Sequence, residues 1–280
     1  MKIYRYFHYL GLDIVLGALA SSCFAARLFE SSPGVIWWIT LALTVWLLYA
    51  GDHMLDAWKH RKKVQREMHY FLLKHRRWII YSLGVVTVVD FMLVLNLLDK
   101  ELFKFALILA GLVLLFYAMR HIFRKNRFLF LPGEVFVLLL YLGGTWLGPA
   151  VSAEGGFETS QGLVALIFAG VLLMNLRVIS LYDIQLDSRM GISSLANVLG
   201  KKNTKNLLMG TGVGIYLLSA LQFLVFEADR YTQFALILCG MATILLLVVY
   251  LPSRFRKNDL YRWTADAVLY MGFLSLLVNA

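Results

Sequence analysis

The chain alternates between long apolar runs and short polar connections. A transmembrane helix needs about 20 mostly apolar residues, and runs of this length recur along the whole sequence. They predict nine spans, at about 10–28, 34–51, 78–98, 102–120, 128–150, 162–182, 206–226, 232–251 and 262–280. A membrane β-barrel would show segments of about ten residues with alternating polarity, and this sequence lacks that period. The pattern therefore predicts an all-α, polytopic membrane protein.

The polar connections differ in charge on the two sides of the predicted membrane. Most of the 27 Lys and Arg residues lie near the N-terminus and after the second, fourth, sixth and eighth spans, whereas the other connections are acidic or neutral. Because Lys and Arg collect in cytoplasmic loops, we expect the N-terminus and these basic connections in the cytoplasm and the C-terminus outside. We expect the bacterial inner (plasma) membrane as the location.

The composition agrees with a lipid environment. The chain has 280 residues, of which 60% are hydrophobic and 16% charged, whereas soluble domains average about 25% charged residues. Its net charge of +10 follows from the topology, so we predict no nucleic-acid partner. Cys23 and Cys239 both lie in apolar runs, which disfavours a disulfide framework. The first apolar run lacks a small-residue cleavage site, and we interpret it as a retained span.

Two acidic pairs with the same spacing end the second and the sixth spans. Asp52 and Asp56 stand in DHMLDAWKHRKK, and Asp183 and Asp187 stand in DIQLDSRMG. Residues four apart share one face of a helix, and Mg²⁺ favours one or two carboxylates together with substrate phosphates. The two pairs therefore predict a magnesium-diphosphate site. A single pair would more often balance a basic surface, and the repeat at matched positions favours the site.

The second motif and the residues after it resemble the UbiA superfamily of intramembrane prenyltransferases. DIQLDSRMGISSLANVLGKK is similar to the family pattern of two aspartates followed by Gly191, Leu195, Leu199–Gly200 and Lys201–Lys202. The first motif resembles a divergent branch of the same superfamily. The resemblance implies one transmembrane domain over residues 1–280, built as a helical bundle around a central cavity. Its acidic motifs would lie in cytoplasmic loops at about 52–77 and 183–205.

The resemblance also implies an activity and residue roles. The family uses Mg²⁺ to transfer an isoprenyl group from an isoprenyl diphosphate to a lipophilic, often aromatic, acceptor within membrane lipid. The catalytic residues and metal ligands would be Asp52, Asp56, Asp183 and Asp187. The substrate-binding candidates are Lys59, Arg61 and Arg66 for the diphosphate, Asn175 as a polar residue near the second motif, and Tyr49 and Tyr182. The rings of these two tyrosines could shelter an allylic cation.

Two positions depart from the family pattern. Leu48 and Ile179 each lie four residues before the first aspartate of a motif, where the family usually has a polar residue. A second hypothesis is therefore a catalytically degenerate member that acts as a lipid or solute transporter or as a scaffold. CDP-alcohol phosphotransferases also bind Mg²⁺ with aspartates at the membrane edge, but their denser motif is absent from this sequence.

Further ionisable residues lie inside the spans near their predicted cytoplasmic ends. Such residues are costly in a membrane and are commonly functional. One hypothesis is that they form a shared polar cluster. The alternative is that they snorkel to the interface or form internal salt bridges, such as one between Arg177 and an acid. The six histidines lie on the same side, where we expect solvated residues or phosphate contacts. The ionisable residues near these cytoplasmic ends are Asp13, Glu134, Arg177 and Asp266.

Overall fold

The described secondary structure of this protein is helical throughout. A computed structural model describes residues 2–59, 67–122, 133–190, 194–225 and 229–278. Two 3₁₀ stretches, Lys257–Asp259 and Leu269–Leu277, flank the last α-helix. The α-helices are α1 (Lys2–Tyr9), α2 (Leu12–Leu28), α3 (Gly34–Lys59), α4 (Glu67–Lys74), α5 (Arg76–Leu97), α6 (Lys100–Ile122), α7 (Gly133–Val151), α8 (Thr159–Met190), α9 (Leu195–Val225), α10 (Asp229–Tyr250), α11 (Pro252–Phe255) and α12 (Leu260–Val268).

The helices confirm the predicted class of an all-α integral membrane protein. Each predicted span overlaps a helix. Within the described residues, α3, α5, α8, α9 and α10 are long and apolar enough to cross a membrane, so the count of nine spans stays a prediction. Large apolar side chains point outward from the peripheral helices, with Phe91 of α5 60% exposed and Leu114 of α6 71% exposed. Lipid is the solvent that suits such a surface.

Both acidic motifs lie on helices that continue past their predicted ends. α3 runs to Lys59 and α8 runs to Met190, because DHMLDAWK and DIQLDSRM contain neither Gly nor Pro to interrupt them. The predicted loop at 52–77 is therefore helical at 52–59 and again in α4. The predicted loop at 183–205 is helical at 183–190 and from Leu195 onward. Consequently the two aspartates of each pair lie one turn apart on the same face of a continuous helix.

An aromatic cluster joins α2, α7, α8 and α10 in the core. Phe24 is fully buried, and its ring centroid lies 5.0 Å from that of Phe234 and 5.5 Å from that of Phe168. The Trp146 ring closes the cluster at 4.8 Å from Phe168. Edge-on and tilted ring pairs of this kind stabilise beyond the area that they bury. The cluster places α8, which carries the second motif, beside α2 and α10.

The short helix α1 turns back over the start of α2 and packs against α4. Gly11 adopts the left-handed conformation at the turn, with φ 71°, and a Cβ there would lie 2.3 Å from the Tyr49 ring. The Tyr9 hydroxyl donates to Glu67 at 2.7 Å. Burial, together with this hydrogen bond, raises the pKa of Tyr9 to about 12, so the phenol stays protonated as a donor. The turn brings His8 back towards Asp13.

Candidate functional site

Asp183 of the second motif is held by two neighbouring residues of α12. The Tyr261 hydroxyl donates to Asp183 Oδ1 at 2.5 Å, and the Arg262 guanidinium forms an ion pair with Oδ2. The Tyr261 ring stacks on Tyr182 with a centroid distance of 4.4 Å and an interplanar angle of 6°. Asp183 is buried, and the cation and phenol supply the compensation that a buried carboxylate needs. Sequence reasoning missed both partners, although Arg262 stands at the start of the last apolar run.

Asp187 lies on the same face of α8 as Asp183. The pair of the first motif, Asp52 and Asp56, lies on α3. Asp187 is also buried. Asp52 and Asp56 are half-buried, and Asp52 Oδ2 lies 4.0 Å from Nδ1 of His53. The two pairs thus occupy different environments, since the α8 carboxylates are enclosed by protein whereas the α3 carboxylates reach the surface.

The remaining sequence-predicted residues lie around these two pairs. Lys59 is exposed, three residues after Asp56, while Arg61 and Arg66 lie outside the described residues. The Tyr49 ring packs on His53 with a centroid distance of 4.2 Å. A single magnesium-diphosphate site formed by the two aspartate pairs stays a prediction.

Asn175 and Tyr182 fasten α8 to its neighbours. The buried Asn175 amide donates to the carbonyl of Ala265 at 2.5 Å. The Tyr182 hydroxyl donates to the carbonyl of Val248 at 2.6 Å. These contacts fix the register of α8 against α12 and α10, and a ligand-binding role for either residue stays a prediction. Ile179 packs at the edge of the core, whereas Leu48 is 44% exposed.

A second buried cluster lies next to Arg262. Asp13 and Asp266 are two of the four ionisable residues that one sequence hypothesis placed in a shared cluster; these two come together, and His8 joins them. Arg177 lies elsewhere, at Thr211, and the Glu134 side chain lies outside the described part of the structure. His8 Nδ1 hydrogen-bonds to Asp13 Oδ2 and lies 4.0 Å from Asp266 Oδ2. The ligand atoms of all three residues lie within 4.8 Å of one another, and an imidazole with two carboxylates can hold a divalent metal. The sequence does contain a hint of this contact. His8 precedes Asp13 by five residues, and Gly11 between them permits a turn that brings the two side chains together.

The structure corrects what the sequence suggested for two histidines and for Arg177. His8 and His69 are 5% and 3% exposed, so they are not solvated loop histidines. Arg177 forms no ion pair with an acid among the described residues. Its Nη1 instead donates to the Thr211 hydroxyl at 2.7 Å.

The fold has known counterparts, although the sequence matches no protein-family model and no curated protein. The structure is similar to the apo structure of a UbiA homologue from Aeropyrum pernix K1, with a TM-score of 0.64 at 15% identity, over 95% of this chain and 98% of that chain. It is also similar to a structure of digeranylgeranylglyceryl phosphate synthase in membranes, with a TM-score of 0.54 at 14% identity and 98% of each chain covered. The protein is thus an integral membrane protein with the UbiA fold, as the motif resemblance predicted.

Proposed function

We propose that the protein is a UbiA-type prenyltransferase. It transfers an isoprenyl group from an isoprenyl diphosphate to a lipophilic, aromatic acceptor within the membrane, with Mg²⁺ at the acidic motifs. The observation that carries the proposal is the recurrence of one acidic pair at the ends of α3 and α8 in a chain with this fold. The similarity to a structure of digeranylgeranylglyceryl phosphate synthase supports the same reaction class.

The donor atoms of the two motifs suit Mg²⁺. Four carboxylates supply the hard oxygen ligands that this ion prefers. A carboxylate offers about four lone-pair positions, so Asp183 retains acceptor capacity after Tyr261 and Arg262 have taken one oxygen each. Asp52 and Asp56 are half-buried and would meet the ion from the cytoplasmic side. When bound, Mg²⁺ would neutralise the charge of the departing diphosphate.

Cations and rings of the chain would position the donor substrate. Lys59 is exposed one turn after Asp56, so its ammonium would attract the diphosphate. The allylic carbon–oxygen bond breaks and the diphosphate leaves with the electron pair. The acceptor then supplies an electron pair for the new carbon–carbon bond and releases a proton. Tyr49 and Tyr182 would stabilise the allylic cation with their ring faces. Tyr182 has one face left for this, since Tyr261 covers the other.

A second candidate function is lipid or solute binding without catalysis. Asp183 already has a cation and a phenol as partners, and both family polar positions are apolar, as Leu48 and Ile179. In this case the aspartates would hold the bundle together, and ligand binding would be indifferent to Mg²⁺.

Diphosphate release by the purified protein in nanodiscs distinguishes the two functions. We expect turnover with at least one pair from a panel of prenyl donors and acceptors. In Asp52→Ala and Asp183→Ala, we expect it to fall at least about 100-fold, because charge stabilisation of the leaving group is lost. Glu154→Ala is the matched control, since Glu154 is exposed on the opposite connection, and it should keep full activity. Absence of turnover with every pair, together with ligand binding that neither Mg²⁺ nor the aspartate variants alter, would favour the non-catalytic function.

A further inference from the structure

A groove of about 580 Å³ lies between α8 and α9, with polar side chains at Arg177 and Thr211 and at its rim, away from the acidic motifs. Arg177 lies six residues before Asp183, which places the two side chains about 120° apart around the helix. The groove is therefore on a different face of α8 from the second motif. Its lining residues are Arg177, Asn203, Asn206, Leu207, Gly210 and Thr211.

The charge of Arg177 is not neutralised by any acid of the described residues. Nη1 donates to Thr211 Oγ1 at 2.7 Å, and Nε is buried without a hydrogen-bond partner in the described part of the chain. A guanidinium keeps its proton in proteins, so the charge persists inside a predicted membrane span. A neutral hydroxyl cannot balance it, and an unbonded buried donor is costly. Both features favour an anion in the groove.

The depth of the groove matches the headgroup region of the cytoplasmic leaflet. Arg177 lies five residues inside the predicted end of its span, about 7.5 Å at the helical rise, and an arginine side chain can reach that far towards the interface. Asn203 and Asn206 are exposed at the mouth, where the predicted span of α9 begins. Lys201 and Lys202, also exposed, make this edge positive.

We propose that this groove binds a phosphate group, with Arg177 as its main ligand. The guanidinium fork suits two phosphate oxygens, and the exposed amide of Asn206 lies at the rim to add a further donor. Two sources carry this chemistry on the cytoplasmic side: the headgroup of an anionic phospholipid, and inorganic phosphate. Basic pockets between transmembrane helices bind anionic headgroups in this way. The proposal is independent of prenyl transfer.

Native mass spectrometry of the detergent-purified protein tests the lipid source. We expect the wild type to retain phosphatidylglycerol more than phosphatidylcholine, and Arg177→Gln to bind it about tenfold more weakly, as expected for a lost charged hydrogen bond. Arg254→Gln is the matched control: it removes the same charge from an exposed position on α11 and should bind like the wild type. Asn206→Ala changes only an exposed groove residue, so it tests the site even if Arg177→Gln folds poorly.

Thermal unfolding of the delipidated protein with added inorganic phosphate tests the other source. A phosphate-dependent rise in the melting temperature that is smaller in Arg177→Gln and Asn206→Ala supports a free-anion site. Retention of phosphatidylglycerol without this rise supports the lipid headgroup. The proposal is overturned if neither ligand binds, or if Arg177→Gln and Asn206→Ala bind both ligands as the wild type does.

Discussion

The Asp183 carboxylate binds a cation with one oxygen and a phenol with the other, and both partners belong to α12. These contacts determine how much stability a substitution of Asp183 would remove. The Arg262 side chain is 16% exposed and that of Asp183 is 6% exposed, so neither charge is well solvated. Removing one partner of a buried ion pair leaves the other uncompensated, which typically costs about 3–5 kcal/mol. The pair therefore contributes to the stability of the contact between α8 and α12 as well as to the proposed site.

A double-mutant cycle on Asp183 and Arg262 measures this coupling. We expect Asp183→Asn and Arg262→Gln each to lower the free energy of unfolding in mixed micelles by about 3–5 kcal/mol. The double variant should lose less than the sum, by about 1–3 kcal/mol, because it leaves no unpaired buried charge. Tyr261→Phe removes the other hydrogen bond to the same carboxylate but leaves the ion pair intact, and it should cost about 1.5–3 kcal/mol. Strictly additive effects would show that the ion pair contributes nothing.

At the scale of elements, α2 packs against helices from early, middle and late parts of the chain. It contacts α3, α7, α12 and the C-terminal 3₁₀ stretch. Small residues such as Gly17, Ala18 and Ala20 line it, and small residues let helices in a membrane approach closely. The closest glycine contact with the α2 backbone is at Gly272, where a Cβ would lie 2.5 Å from the carbonyl oxygen of Ala20. That neighbour is backbone, so it cannot move as a side chain would.

Gly272→Ala should therefore destabilise the bundle, by about 1–3 kcal/mol as overpacked sites do. The matched control is Gly111→Ala on α6, where a Cβ would have nothing within 4 Å. That change should leave stability unaltered or raise it by up to about 1 kcal/mol, the helix propensity gained over glycine. The measurement is the unfolding free energy of both variants in the same detergent. Equal effects at the two sites would contradict the close approach of the 3₁₀ stretch to α2.

At the scale of the whole molecule, the described structure and the charge pattern make a prediction about sidedness. The basic connections carry most of the Lys and Arg residues, and both acidic motifs lie at helix ends next to these connections. If Lys and Arg mark the cytoplasm, the exposed Lys257 and the exposed Glu154 lie on opposite sides of the membrane.

Single-cysteine labelling checks this topology. In a background with Cys23→Ala and Cys239→Ala, Lys257→Cys should react with an impermeant maleimide only after the membrane is opened. Glu154→Cys should react in intact cells, because the charge pattern predicts that its connection lies outside. Labelling of both positions from the same side would mean that the bundle does not follow the charge pattern.

The apolar runs by themselves were enough to predict the helical class and the approximate positions of the long helices. A run of about twenty apolar residues in lipid is expected to form a helix, because a helix satisfies every backbone hydrogen bond within its own segment. The spacing of Asp52 with Asp56 and of Asp183 with Asp187 was equally readable, since helix geometry turns a separation of four into a shared face.

Only the tertiary structure decided which side chains meet across helices. The contact of Asp183 with Tyr261 and Arg262 joins residues 78 and 79 positions apart, and no local period encodes it. The buried group of His8, Asp13 and Asp266 depends on the turn at Gly11 and on the docking of α12 against α2. Local hydrogen bonding and hydrophobicity specify each helix. The partners of its polar side chains depend on how the helices pack against one another, and the pattern of apolar and polar residues does not encode that packing.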